Sequence, residues 1–283
     1  MLQQTQVATV QARYYGPFLK QFPTAQALAA APREAVMKAW EGLGYYRRAG
    51  HLHEAAKVLV KQATQRCDAY DALIALPGIG KNTAHAILAF AFHQPAAICE
   101  ANIKRIVARI FALTTPSDAE LWQAAEALLN TAEPFHHNQA MMDLGALLCT
   151  PKAPDCKACP AHTLCKGKKT PEDFPQKKVK KSVPTKQVFI VVQRDSEGRY
   201  HLQKRGEKLL GGLYGFTQQS RPPRDAQTLG KLTHIYSHFR LEAQIVLQCV
   251  AQANSPDWYT QAQIKMLPLS TLDKKVLALV KAC

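Results

Sequence analysis

The sequence predicts a mainly α-helical domain over residues 1–165, a basic linker over 166–186, and a small α+β domain over 187–283. Three observations predict it. Apolar residues recur at helical spacing through the first stretch. A Lys-rich, Pro-punctuated stretch poor in apolar residues follows. Beyond Gln187 the apolar residues gather into short β-branched or alternating runs.

Leu2, Val7, Val10, Tyr14, Phe18 and Phe22 share one helical face, and Pro23 stops that run. Further amphipathic segments are expected at Pro32–Glu41, Arg48–Gln62, Lys81–Phe92, Asn102–Phe111, Asp118–Asn130 and Asn138–Leu148, with Asp71–Leu76 also reading as helix. In the second part, Val188–Val192 is a short apolar run rich in β-branched residues, Tyr200–Lys204 alternates, and Leu241–Val250 alternates loosely, all as strands do. No internal repeat occurs in the chain.

The formal charge is +15. Residues 1–165 hold 15 Lys and Arg against 12 Asp and Glu; the linker holds 8 against 2, and residues 187–283 hold 13 against 7. The excess lies in the linker and the second domain, and it suggests a polyanion partner, nucleic acid first. No stretch approaches the roughly 20 apolar residues of a membrane helix. The amino end resembles neither a signal nor a transit peptide, so a cytoplasmic protein, bacterial and nucleoid-associated through DNA, is expected, with a monomer as the default.

Cys149, Cys156, Cys159 and Cys165 form a C-x6-C-x2-C-x5-C array. Four thiolates this close can ligate one metal centre, either a [4Fe–4S] cluster or a tetrahedral zinc, and spacing alone leaves both open. Disulfides fit poorly, because Cys67, Cys99, Cys249 and Cys283 are scattered singly, as in a reducing compartment. His136 and His137 have no partner pattern for a metal and read as surface residues, while Cys99 reads as a buried apolar thiol.

The stretch Leu76-Pro-Gly-Ile-Gly-Lys81 joins two helical segments. Gly78 and Gly80 permit a tight turn, and the helix opening at Lys81 turns its amide groups and dipole toward an anion such as phosphate. A nucleotide P-loop is excluded: Ala75 occupies its first glycine position and Asn82 its Ser/Thr position.

The hairpin, the intervening helix and the four-cysteine loop, in this order, resemble the endonuclease III-type DNA glycosylases. Leu2-Gln-Gln-Thr-Gln-Val7, Trp40-Glu-Gly-Leu-Gly-Tyr-Tyr46, Asn138-Gln-Ala-Met-Met-Asp-Leu-Gly145, Leu209–Phe216 and Tyr236-Ser-His-Phe239 narrow the resemblance to adenine DNA glycosylases of the MutY type. It implies a helix–hairpin–helix glycosylase domain whose cysteine loop holds a [4Fe–4S] cluster, followed by a Nudix-like domain that recognises 8-oxoguanine. The Glu-rich helix of a true Nudix hydrolase is absent from the sequence. The implied partner is double-stranded DNA with an A:8-oxoguanine or A:G mispair, and the implied reaction is hydrolysis of the adenine N-glycosidic bond.

The resemblance also implies the site. Gln3, Gln4, Thr5 and Tyr45 would fill and hold the gap left by the everted base. Gly78, Gly80, Lys81 and Lys104 would meet the DNA, Lys152 and Lys157 would meet phosphates, and Ser237 and His238 would face the oxidised guanine. The anionic carboxylate falls at Glu100, where the family has Asp, and Ala101 stands where the family has Gly. The longer side chain moves the carboxylate, and Ala restricts φ if a left-handed turn is required there. Asn102, beside it in the catalytic segment, fits a helix N-cap, and Lys104, Arg105 and Arg109 make the helix basic.

The family's general acid is a Glu two residues before the Met that opens this chain. The expectation is therefore that the natural protein extends upstream to supply it, and that the chain as given is inactive or impaired. Glu41 and Asp143 read as structural. The alternatives are a lesion-binding homologue without excision and a zinc-stabilised nucleic-acid adaptor.

Overall fold

The computed structural model describes all residues except 3–4, 63–66, 177–181, 207–208, 252–254 and 282–283. Packing divides the chain into two compact units, residues 1–63 with 181–283, and residues 64–180. Grouping by contacts thus differs from the sequence pattern: the first 63 residues share a unit with the C-terminal segment.

In the first unit the predicted Leu2–Phe22 run is α1 (Val7–Val10), a π-helical turn (Gln11–Tyr15) and α2 (Gly16–Gln21). The next helix, α3 (Ala25–Ala30), lacks an amphipathic signature and was not expected; the Thr24 hydroxyl starts it by accepting the Ala27 N–H at 3.0 Å. Then come α4 (Arg33–Ala39) and α5 (Arg47–Lys61), close to their expected bounds. Val10, Phe18, Phe22, Leu28, Val36, Met37 and Trp40 form the core of these helices, and Leu213 from the C-terminal segment completes it.

The second unit contains α6 (Tyr70–Ile74), α7 (Lys81–Phe92), α8 (Ala101–Phe111), α9 (Asp118–Leu128) and α10 (Pro134–Leu147). The last begins one turn earlier than its apolar pattern suggests, because Pro134 is tolerated in a first turn. Ser117 and Glu120 close a reciprocal capping box at the start of α9. The core lies between α8, α9 and α10, centred on Ile103, Ile106, Val107, Trp122 and Met141.

The C-terminal segment builds β1 (Thr185–Asp195), β2 (Tyr200–His201), β3 (Gln203–Lys204), β4 (Tyr214–Gly215), β5 (Thr217–Gln219), β6 (Gln227–Ile235), β7 (Arg240–Val250) and β8 (Trp258–Tyr259). Helices α11 (Gln261–Met266) and α12 (Thr271–Lys281) follow. The main sheet has the order β6-β7-β1-β2-β8, with β5 also paired to β1. Strands β1 and β7 run parallel from Thr185↔Arg240 to Asp195↔Val250, while β6 pairs antiparallel with β7. Ile190, Val192, Leu241 and Ile245 on the strands pack against Leu272 and Val276 of α12. The β6 strand was not expected: its Lys, Thr and Gly content hides an edge strand with one exposed face.

Candidate nucleic-acid interface

The hairpin forms as expected. Leu76 is buried, the Ile79 N–H bonds to the Leu76 carbonyl at 3.2 Å, and Gly78 has φ +78°, a value that favours glycine. Gly80 is the N-cap of α7, and its missing side chain would meet nothing within 4 Å, so the approach to the helix end is open. Lys81 stands 3.9 Å over the ring of Trp122 and 3.7 Å from the Glu126 carboxylate, both on α9.

The extended segment before α8 is held by three side chains from neighbouring helices. Asn138, buried within α10, accepts the Ile98 N–H at 3.0 Å and donates to the Ala96 and Pro134 carbonyls at 3.0 and 2.8 Å. The His85 Nδ1 lies 2.8 Å from the Ala97 carbonyl. Asn82, the second residue of α7, accepts the Cys99 N–H at 2.8 Å. Cys99 is buried, which pushes its thiol up to about 11.

Glu100 follows at the N-cap of α8 with extended backbone, and its carboxylate accepts the Asn102 N–H at 2.9 Å. This corrects one expectation: the cap is Glu100, and Asn102 already lies inside the helix, because the helical backbone begins at Ala101. Ala101 is absent from the positive-φ residues, so it carries no left-handed strain. Asn102 accepts from Arg105 at 3.0 Å. Gly145 on α10 packs against Asn102; a methyl group on Gly145 would stand 2.6 Å from the Asn102 Cβ, so α8 and α10 can approach only with glycine there. Lys104 is ion-paired with Asp118 at the start of α9.

Helix α8 leads from Glu100 to the cysteine loop. Arg105 donates to the Cys149 carbonyl at 2.8 Å and to the Gly145 carbonyl at 2.7 Å. Arg109 is buried; it donates to the carbonyls of Pro171 and Thr150, both at 2.7 Å, and stands 3.2 Å from the Cys149 sulfur. The four array cysteines, each half-buried, line one pocket together with Arg109 and His162. Among the described residues no three His, Cys, Asp or Glu side chains converge closely enough to hold a single metal ion. Four thiols lining one pocket are a donor set used both by structural zinc and by iron–sulfur clusters. Burial, then the neighbouring thiols Cys149 and Cys159, push Cys156 up, so the set favours a cationic occupant if it is to ionise.

In the first unit the Trp40–Tyr46 turn separates its two tyrosines. Tyr46 is buried, bonds the Gly42 N–H at 2.9 Å, and is pushed up to about 12 by burial. Tyr45 is 47% exposed and has φ +48°, a conformation that costs a non-glycine residue about 1–3 kcal/mol. The Arg48 guanidinium lies 5.0 Å from its ring centroid and donates to the Met1 carbonyl and the Thr5 hydroxyl, both at 3.2 Å. Thr5 and Tyr45 therefore meet through Arg48. Gln3 and Gln4 lie outside the described residues.

Ser237 and His238 occupy the exposed turn between β6 and β7, with the Ser237 hydroxyl 3.3 Å from the His238 Nδ1. Beneath them Tyr236 stacks on Phe239 with centroids 4.6 Å apart, and the Tyr236 N–H bonds to the Phe239 carbonyl at 2.9 Å.

Residues 1–131 match the family described as HhH-GPD superfamily base excision DNA repair protein, and residues 187–279 match the NUDIX domain. The adenine DNA glycosylase of Buchnera aphidicola subsp. Baizongia pistaciae is 37% identical over 201 residues, covering 68% of this chain and 57% of that protein. The chain belongs to the adenine DNA glycosylase family. The human adenine DNA glycosylase is 39% identical over 181 residues, 61% of this chain and 33% of the human protein. A thermostable thymine-DNA glycosylase of known structure superposes with a TM-score of 0.55 at 27% identity, over 59% of this chain and 80% of that one. The chain spans a little over half the length of the Buchnera relative and a third of the human one.

For this adenine DNA glycosylase family member, the second unit brings together the hairpin, Glu100, Asn102 and the cysteine loop. The first unit brings together Thr5 and Tyr45, and separately Ser237 and His238. Sequence reasoning missed the backbone clamps Asn82 and Asn138 and the tie through Arg48. A polar residue on the apolar face of α10 was the available signal for Asn138. Asp143 accepts only from Gln139 at 3.1 Å and is exposed; His136 is exposed, whereas His137 is half-buried rather than on the surface. Lys152 and Lys157 are exposed in the cysteine loop. No helix among the described residues is long and apolar enough to cross a membrane.

Proposed function

We propose that this chain is a DNA base-excision glycosylase that acts on adenine opposite 8-oxoguanine or guanine in double-stranded DNA. The observation that carries this reading is the join between hairpin and carboxylate. Asn82, one residue beyond the hairpin, accepts the N–H of Cys99, and Glu100 is next in the chain. This join supports a reading in which the hairpin grips the DNA backbone and Glu100 is the anion that faces an oxocarbenium-like sugar. Adenine must leave the stack to be cleaved. Tyr45, exposed on a strained turn, supplies a flat face for the vacated position, with Thr5 tied to it through Arg48, and Gln3 and Gln4 keep the role that the family resemblance gives them. Ser237 and His238 offer a hydroxyl and a ring nitrogen to the N7–H and O8 groups that distinguish the oxidised guanine.

Cys149, Cys156, Cys159 and Cys165 would hold a [4Fe–4S] cluster, which when bound supplies a covalent brace for the loop. Arg109 would place its charge beside that centre, and Lys152 and Lys157 are free to meet phosphates. The grouping into a glycosylase domain at 1–165 and an 8-oxoguanine-reading domain at 187–283 follows the same reading.

A second reading has its own support. The Glu100 carboxylate is occupied as the cap of α8, and Glu is longer than the family's Asp, which favours a homologue that binds the lesion without excising adenine. One assay separates them. Duplexes with A:8-oxoguanine and A:T are incubated with the chain, and with the chain preceded by a segment that places a Glu two residues before Met1. Abasic product from the extended form, lost in Glu100→Gln, supports the enzyme. Tight, salt-sensitive lesion binding with no abasic product from either form supports the binder. Absence of any lesion preference overturns both.

A further inference from the structure

The turn that presents Tyr45 is fastened to the C-terminal segment at one carboxylate. Glu41 accepts the Leu269 N–H at 2.8 Å and pairs with Lys274 of α12 at 2.8 Å and with Lys38 of α4 at 3.0 Å. Its side chain is only 10% exposed. Burial opposes its ionisation, but the bonds from Lys274, the Leu269 amide and Lys38 outweigh burial and hold the carboxyl below its ordinary value. Its backbone carbonyl accepts from the Tyr14 hydroxyl at 3.2 Å, so both ends of the residue are held. Around it, Lys38 donates to the Leu267 carbonyl at 2.9 Å and Lys204 pairs with Glu34. Leu210 and Leu213 pack into the Val36, Met37 and Trp40 core, and a methyl group on Gly212, at φ +84°, would stand 3.3 Å from the Arg33 side chain.

We propose that Glu41 is a positioning residue for lesion specificity. It pins the Tyr45 turn to α12 and the loop before it, so that the intercalating ring and the Ser237–His238 turn are carried by one rigid frame. The β6–β7 turn stands on the sheet against which α12 packs, through Leu272 and Val276. The rigid path therefore runs from Ser237 through the sheet and α12 to Lys274, Glu41 and Tyr45. A guanine read at one end then sets where the ring enters at the other. This inference rests on the function proposed above, because it assigns the frame to 8-oxoguanine preference.

Lys274→Met removes the partner that lies 233 residues beyond Glu41 (274 − 41) and leaves the turn's sequence intact. Hydrogen exchange is followed at residues 41–46 in the unaltered full chain, in Lys274→Met, in Glu41→Ala and in the conservative Lys274→Arg. Affinity for A:8-oxoguanine and undamaged duplexes is measured for the same proteins. We expect faster exchange at 41–46 in Lys274→Met and Glu41→Ala. We expect the lesion preference to drop by on the order of tenfold, affinity for undamaged duplex to stay the same, and no further loss when Lys274→Met and Glu41→Ala are combined. Lys274→Arg should restore both readouts. Unchanged exchange at 41–46 in Lys274→Met overturns the pin, whatever the protein binds. Faster exchange with unchanged lesion preference overturns the specificity role, and so does a parallel fall in affinity for both duplexes. If the unaltered chain shows no lesion preference, the proposed function fails, and with it the specificity role, while exchange still decides whether Glu41 holds the turn.

Discussion

The side-chain oxygen of Asn138 accepts the backbone N–H of Ile98 at 3.0 Å, across 40 residues of sequence, inside a core from which water is excluded. The same amide donates to the Ala96 carbonyl, so one side chain brackets the strand-like segment that ends at Glu100. Asn138→Ala leaves a buried donor and a buried acceptor without partners. A stability loss of about 2–5 kcal/mol is expected, since each orphaned group costs about 1–3 kcal/mol. Urea unfolding measures it, and a loss below about 1 kcal/mol would show that the segment is held by its other contacts.

The two tyrosines of the Trp40–Tyr46 turn should respond in opposite ways. Tyr46→Ala empties a buried site and should cost about 3–5 kcal/mol. Tyr45→Gly relieves a positive φ at an exposed position, so stability should hold or rise by up to about 1 kcal/mol, while lesion affinity falls. Thermal melts paired with duplex titrations check this. Equal destabilisation by both substitutions would mean that Tyr45 is a core residue.

His53 on α5 is 1% exposed, and burial, then the Lys57 charge, lowers its imidazole below 6.5. Glu54 and the Ala29 and Ala31 carbonyls offset part of this. The folded chain holds the ring neutral while the unfolded chain protonates near 6.5. Stability attached to this group is therefore complete above pH 6.5 and is lost as pH falls toward the lowered folded value. The slope reaches at most about 1.4 kcal/mol per pH unit. Denaturant midpoints between pH 8 and 5 should decline less in His53→Leu than in the unaltered chain. His137 and His234 are also lowered by burial, so a residual slope should persist in that variant.

Arg109, on α8, is a buried cation beside the cysteine loop, donating to the carbonyls of Pro171, Phe174 and Thr150 and facing the Cys149 sulfur. Arg109→Met removes the charge and orphans those carbonyls, and Lys cannot reproduce a planar fork of donors. Iron per chain and visible absorbance should fall in Arg109→Met and vanish in Cys159→Ala. Retention of one zinc per chain with no colour in the unaltered protein would instead favour the adaptor reading.

Sequence alone determined which residue types were available and where the chain would coil. The apolar period marks α5, α7, α8 and α9, and Gly78 and Gly80 mark the hairpin, because a helix face and a positive φ are local demands that a few neighbouring residues must satisfy. The cysteine spacing identified the ligand-rich loop for the same reason. Tertiary structure decided what those local signals could not carry. Tyr45 and Tyr46 are chemically alike and adjacent, and only packing sends one into the core and leaves the other in solvent. Asn102 fits a cap by type, yet the backbone enters the helix two residues earlier, so Glu100 takes the bond. Glu41 looks like an ordinary surface acid until Lys274 and Leu269 arrive from more than 220 residues away. Partners that distant leave no periodicity in a sequence, and only the folded chain brings them together.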